Sequence, residues 1–346
     1  MTRNVRDAML SAERKVDVLV LGATGFIGGH IARTALARGW HVRALRRRPD
    51  AVGAMGDVTG QIEWIAGELP FQTGPVSAKR PEGLRRAMHG CKVVFHAAAA
   101  YPRAERNVAR WVSQSVGQMR AVLEAARDAQ IERFVYTSTC TTIGCPAEAN
   151  RHADEHDFYV PGALRSVYYE SKFAMEMEAF RAAAEGLPIV VLNPTAVFGP
   201  GDIKPTTGEV LMRAAKGQIP VYFDAIVNAV DVRDVASAHV AAAECGRIGQ
   251  RYILGGHNLT LQELLTTTAQ VAGVRPPRWK LANQAVDAFI GASEWLHVPL
   301  PDLVKTIRLW QPLDSDKAQR ELALRPRPFE ETARDTITWF REHGYL

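Results

Sequence analysis

The chain is poor in the features that staple proteins or anchor them. It has four cysteines in 346 residues (Cys91, Cys140, Cys145 and Cys245), too few and too scattered for a disulfide scaffold. A chain of that length buries enough apolar surface to need no metal or disulfide for stability. No stretch approaches the roughly 18 uninterrupted apolar residues of a membrane-spanning helix. The first fifteen residues, MTRNVRDAMLSAERK, lack the apolar run of a secretory signal. Internal repeats and low-complexity segments are missing from the sequence as well. Charge of one sign is scarce: 42 Lys and Arg stand against 37 Asp and Glu, a net +5. That balance suits anionic small molecules and falls short of a nucleic-acid surface. These absences predict a cytoplasmic protein with a small-molecule substrate, no nucleic-acid partner and no membrane.

What is present is a βα rhythm. Residues 16–22, VDVLVLG, form an apolar, β-branched run that ends at glycine. Such a run without polar alternation suits a strand buried on both faces of a parallel sheet. Further strands are expected at 41–45, 62–66, 93–96, 133–137 and 189–192. Helices are expected at 26–38, 107–130 and 166–185. Strands alternating with helices predict an α/β fold, a doubly wound parallel Rossmann sheet with helices on both faces. After Leu192 the rhythm stops. Residues 193–209, NPTAVFGPGDIKPTTGE, read as one long loop, and 256–346 read as mostly helical with proline interruptions. The segments 227–230 and 252–254 look like late strands returning to the sheet. The expected division is a dinucleotide-binding domain of residues 15–193 plus 226–255. A smaller, discontinuous substrate lobe takes 194–225 plus 256–346, and 1–14 form a polar extension.

Two motifs carry chemistry. Gly22, Ala23, Thr24, Gly25, Phe26, Ile27 and Gly28 stand between the first strand and first helix in the spacing G-x-x-G-x-x-G. Glycines there permit a tight turn and a close approach of backbone to a pyrophosphate, which the unpaired N–H groups of the helix N-terminus attract. The second strand then ends in Arg46, Arg47 and Arg48, with no acid until Asp50. A carboxylate would grip the ribose hydroxyls of NAD, whereas guanidinium groups match the 2′-phosphate of NADP. NADP(H) is the preferred cofactor on this reading, with NAD(H) as the alternative.

The second motif is Tyr168 and Lys172, four residues apart at the start of an expected helix and therefore on one face. A phenol is a poor acid at neutral pH, and a neighbouring ammonium lowers its pKa. Tyr168 can then give a proton to the alkoxide developing from a carbonyl. The hydroxyl-rich strand end Thr137, Ser138, Thr139, Cys140, Thr141 and Thr142 lies where ligands bind in open α/β sheets. One of these hydroxyls can help hold a substrate oxygen, although spacing alone does not pick which.

In this order the motifs resemble the extended short-chain dehydrogenase/reductase superfamily, over nearly the whole chain. The quoted landmarks are GATGFIG (22–28), HAAA (96–99), YTSTCTTIG (136–144), YYESK (168–172), NPTAVFGPGD (193–202) and VDVRDVA (230–236). The segment NPTAVFGPGDIKPTTGEV is similar to the branch of hopanoid-associated sugar epimerases and dihydroflavonol-4-reductase-like enzymes. The resemblance implies Thr139, Tyr168 and Lys172 as the catalytic set, with Lys172 also on the nicotinamide ribose. It implies cofactor contacts from Thr137, from His96, Ala97 and Ala98, and from Pro194, Thr195 and Val197. Glu68 and Leu69 stand where relatives carry Asp-Leu near the adenine. A homodimer through the long helix 107–130 and the Tyr168 helix is implied in the same way.

Either of two activities uses such a pair: reduction of a ketone or aldehyde, or epimerisation of a nucleotide sugar. By resemblance Asn193 stands where sugar epimerases hold a phosphate, while Val227 stands where they place an arginine. Their later Arg-Arg-x-Gly-Asp segment has no counterpart either, the nearest text being Arg275 to Trp279, and these two lost clamps with the basic second-strand end favour the reductase. A non-catalytic dinucleotide sensor would commonly lack the Tyr-Lys pair. His152, Asp154, Glu155, His156 and Asp157 have metal-ligating chemistry but lie in an expected loop, and no metal is expected.

Overall fold

A computed structural model describes residues 17–70, 82–98, 107–148, 150–164, 166–295, 306 and 310–346. The expected extension 1–14, Ala99, Pro299 and Pro301 lie outside them. Six βα-derived strands form most of a seven-stranded, wholly parallel sheet: β1 (Asp17–Leu21), β2 (His41–Arg46), β3 (Ile62–Ala66), β4 (Val93–His96), β5 (Arg133–Thr137) and β6 (Ile189–Pro194). The seventh strand, β10 (Arg251–Leu254), pairs with β6 at one edge, and the order across the sheet is β3-β2-β1-β4-β5-β6-β10. Strand order reverses between β1 and β4, and the crevice at such a reversal is where ligands enter this class of sheet.

Every strand side chain from Val18 to Leu21 is buried, as expected of a run packed on both faces. One face receives α1 (Phe26–Ala37) through Ile31, Ala32 and Ala35, beside α6 (Val232–Cys245). The other receives α2 (Glu82–Met88), α3 (Val108–Asp128) and α4 (Val167–Ala184), through Leu84, Met119, Val122, Met175 and Ala179. Helix α4 begins at Ser166, whose hydroxyl accepts from the Tyr169 N–H and satisfies an amide that the first turn leaves unpaired.

The chain beyond β6 departs from the sequence reading at two places. Within the segment read as a loop, Ala196, Val197 and Phe198 form strand β7 (Ala196–Phe198). That strand lies parallel to β9 (Ile226–Asp231), which pairs on its other side, antiparallel, with β11 (His257–Thr260). So 227–230 does form a strand, but it is the centre of a second, three-stranded sheet. The physical reason lies in a private core: Ala196, Phe198, Val227 and Ala229 meet Leu211 of α5 (Gly208–Ala215), Leu264 of α7 (Leu261–Ala272) and Phe329 of α10 (Phe329–Glu342). Between these elements β8 (Val221–Tyr222) pairs with β12 (Trp279–Lys280), followed by α8 (Asn283–Trp295) and α9 (Asp316–Glu321). Among the described residues no helix is long and apolar enough to cross a membrane.

Candidate active site

The glycine turn joins β1 to α1 with almost no room to spare. Gly22 sits at φ +96°, a left-handed conformation that glycine adopts without a steric penalty. A Cβ on it would come within 2.8 Å of the Ala98 nitrogen, so the turn presses on the end of β4. A Cβ on Gly28 would stand 2.2 Å from the Gly22 carbonyl oxygen. Gly25 is the exposed N-cap of α1; no side chain caps the helix and no acid occupies its first turn. An uncapped N-terminus bordered by bare backbone fits the pyrophosphate of a dinucleotide. Thr24, Phe26 and Ile27 complete the turn.

Beyond it, loop 51–58 folds back onto the turn: a Cβ on Gly53 would lie 2.4 Å from the Thr24 carbonyl. Arg33 of α1 fastens this loop through the Ala54 carbonyl and the Asp57 carboxylate. The Arg46 guanidinium lies 4.8 Å above the Trp64 ring, while Arg47 is exposed. Arg43 is committed elsewhere, to Glu63 and to the carbonyls of Ala87 and His89. Glu68 is exposed just past β3, and Leu69 packs on the core beneath α2.

Across the strand ends lie the remaining candidates. His96 is fully buried at the end of β4, and neither ring nitrogen has a hydrogen-bond partner among the described residues. Burial, with help from the nearby Lys172 charge, lowers its pKa to about 3, so it stands neutral. Orphaned buried polar atoms are uncommon in folded proteins, and a bound ligand is one way to satisfy them. Ala97 and Ala98 follow it, partly open. Thr137 is placed differently: its hydroxyl lies 2.9 Å from the His239 ring nitrogen of α6. Pro194, Thr195 and Val197 are all buried at the end of β6 and the start of β7, and Thr195 bonds the Leu254 carbonyl.

Tyr168 and Lys172 share one face of α4. Lys172 is buried, and burial lowers its pKa to about 8 against the opposing pull of Glu176. Tyr168 is half-buried one turn earlier. The 3-10 turn Cys140–Thr142 packs on this helix and carries Thr139 at its N-cap, with the Thr139 hydroxyl accepting from the Thr141 N–H at 3.3 Å. Thr139, Tyr168 and Lys172 are thus gathered at the carboxyl edge of β5, beside the end of β4.

Sequence reasoning passed over the polar core beneath them. Glu176, fully buried on α4, accepts from Thr142 Oγ1 at 2.7 Å, Asn193 Nδ2 at 2.8 Å, Arg251 at 2.9 Å and the Ser138 hydroxyl. Asn193 is fully buried as well, and its amide nitrogen also lies 3.1 Å from the Thr139 carbonyl oxygen. It is therefore turned into the protein rather than toward any substrate phosphate. The signal available in the sequence was the period of α4: Tyr168, Lys172 and Glu176 recur every four residues. Val227, where an epimerase arginine would stand, is buried in the core of the small sheet. Asp157 is spent on Arg151 and the Asp154 amide, and among the described residues no group of three His, Cys, Asp or Glu could hold a metal.

Known proteins share this architecture. Residues 18–255 match the NAD dependent epimerase/dehydratase family. The chain is 34% identical over 342 residues to a Synechocystis sp. protein that bears the provisional name dihydroflavonol 4-reductase, covering 94% of this chain and 95% of that one. It is 30% identical over 246 residues to cinnamoyl-CoA reductase 1 of Arabidopsis thaliana, or 68% and 69% of the two chains. The solved structure of a nucleoside-diphosphate-sugar epimerase from Pseudomonas aeruginosa superposes with a TM-score of 0.79 at 27% identity, over 96% of this chain and 99% of that one.

Proposed function

The chain belongs to the NAD dependent epimerase/dehydratase family, enzymes of the extended short-chain dehydrogenase/reductase type, and from that premise we propose that it is an NADP(H)-dependent reductase of a ketone or aldehyde. The observation that carries the choice over sugar epimerisation is Asn193, whose amide N–H groups are turned inward, onto Glu176 and the Thr139 carbonyl beside Thr142. A nucleotide sugar needs donors and cations on its diphosphate. Val227 offers none. The two relatives named above that are called reductases point the same way.

The glycine turn and the open N-terminus of α1 would hold the pyrophosphate, with Arg46 and Arg47 on the 2′-phosphate. A nicotinamide held there would supply the hydride for the carbonyl carbon. Tyr168 then gives its phenolic proton to the carbonyl oxygen, so one hydride and one proton make the alcohol. Lys172 holds the phenol in reach of neutral pH by stabilising its deprotonated form. The Thr139 hydroxyl donates to the same substrate oxygen and aligns it with Tyr168.

The test is the oxidation of NADPH by purified protein across a panel of ketones and aldehydes. Turnover with NADPH well above that with NADH supports the reading. Replacing Arg46 and Arg47 together by Ala should weaken NADPH roughly ten- to a hundredfold, the weight of about 1.5–3 kcal/mol for lost charged hydrogen bonds, and leave NADH nearly unchanged. Tightly retained NAD with turnover of a UDP-sugar would replace this reading by the epimerase.

A further inference from the structure

Glu176 is a carboxylate with no exposure to water, and a buried charge is costly unless it is fully paired. Here it joins four parts of the fold. Its Oε2 takes the hydroxyls of Ser138 and Thr142 and the amide of Asn193, and its Oε1 takes Arg251. Arg251, itself buried on β10, passes the linkage on to the carbonyls of Glu155 and Asp157, both at 2.9 Å, and lies over the Phe158 ring. A stability device alone could have been built from apolar side chains of equal volume.

The detail that points to chemistry is what Thr142 and Asn193 do with their other contacts. Each also reaches the Thr139 carbonyl oxygen, at 2.9 and 3.1 Å. Asn193, with two N–H groups, bridges the Thr139 carbonyl and Glu176 Oε2, while the single Thr142 proton serves one of the same two oxygens, so the Thr139 backbone is tied to one oxygen of Glu176. The same carboxylate stands one helical turn from Lys172 and supports its charge.

Resting on the reading of Tyr168 and Lys172 given above, we propose that Glu176 is a positioning residue for the reaction: its carboxylate fixes the Thr139 turn and supplies the counter-charge on which the buried Lys172 ammonium depends. Other groups around this pair cannot take its place. Tyr168 on the same helix, His96 on β4 and Tyr136 on β5 are neutral when protonated as phenols or, for His96, when unprotonated at neutral pH, and Arg251 on β10 carries the sign that repels Lys172. The other acids on and just beyond α4 are engaged elsewhere: Glu170 accepts from the Tyr159 hydroxyl and the Gly162 N–H, and Glu178 and Glu185 are paired with Arg120 and Arg127 of α3 and with Arg181. Without the Glu176 charge, burial acts on Lys172 unopposed and its proton is lost at lower pH.

The test is Glu176→Gln, which keeps the shape and removes the charge. In cofactor-free protein, the side-chain NMR signal of Lys172, assigned by its disappearance in Lys172→Met, should titrate about one pH unit lower than in the wild type. With cofactor and carbonyl substrate, kcat should fall roughly tenfold or more with little change in KM, and the alkaline limb of its pH profile should move down by the same interval. Because Glu176→Gln leaves Arg251 buried and unpaired, Glu176→Gln with Arg251→Gln keeps the test open if the single variant does not fold. In that double variant the lowered titration and the kcat loss should persist while stability returns. A Lys172 titration unchanged in a folded variant, or a kcat that recovers together with stability, overturns the proposal. If the wild type reduces no carbonyl, the functional reading fails, and the cofactor-free titration still decides the role of Glu176.

Discussion

At the glycine turn the chain works with backbone alone, whereas at Tyr168 and Lys172 it works with side chains that only distant segments can hold in place. Gly22, Gly25 and Gly28 come from seven consecutive residues, and their contacts are with one another and with the end of β4. The Tyr168 end draws on β5, α4, β6 and β10, and its buried carboxylate is paired only when Arg251 arrives from a strand 75 residues away. Geometry enforced by sterics needs little support. Geometry enforced by charge needs every partner, since one missing partner leaves another buried and unpaired.

Substitutions at the two ends should separate these modes. The largest effect is expected for Gly28→Ala, whose new Cβ would meet the Gly22 carbonyl at 2.2 Å. Backbone cannot yield as a side chain can, so nucleotide binding should vanish and stability should fall by about 1–3 kcal/mol. Gly25→Ala, with its nearest contact at 3.2 Å and an ordinary φ of −91°, should be far milder. Equal losses from both in a nucleotide titration would show that conformational entropy, not contact, governs the turn.

Tyr168→Phe should act only at the other end. The proton donor is removed while the ring remains, so kcat should fall roughly 10²–10⁴-fold with nucleotide affinity within about twofold. A parallel loss of affinity in equilibrium titration would mean that the two ends are one mechanical unit.

The smallest effect concerns stability against pH and the neutral, buried His96. Its pKa of about 3 in the folded chain lies below the 6.5 of a free imidazole. Between those values the unfolded chain binds a proton that the folded chain refuses. This contribution is therefore present above pH 6.5 and is lost as pH falls toward 3. His239, lowered to about 4, acts in the same direction. Thermal melts of His96→Phe should show a shallower fall over that window than the wild type, and an identical slope would refute the assignment.

What could be read in advance divides along the same line. Strand β1, the turn and α1 declare themselves in 21 consecutive residues because burial on both faces and the need for glycine are local requirements. Tyr168 and Lys172 were visible through a spacing of four. Strand β7 was hidden because Pro194, Gly199 and Gly201 surround three residues whose one strand partner among the described residues, β9, lies about 30 residues on. Strand β9 looked like a strand, but nothing local says which sheet it joins. Glu176 was hidden by a bias: a charged residue on a helix is normally solvated, and only the long-range meeting of Ser138, Asn193 and Arg251 makes burial tolerable there.

The edge position of β10 has a consequence for the order in which the molecule is made. The glycine turn, Thr139, Tyr168, Lys172 and Glu176 have all been synthesised by residue 194, and until β10 follows, β6 is an open edge. Its neighbour arrives only with Arg251–Leu254, after β7, α5, β8, β9 and α6 have been synthesised. Until that moment a strand edge is unprotected and a carboxylate waits for its cation. A single event, the docking of β10, closes the edge and neutralises the charge, so nascent chains halted before Arg251 are the ones most exposed to aggregation and proteolysis.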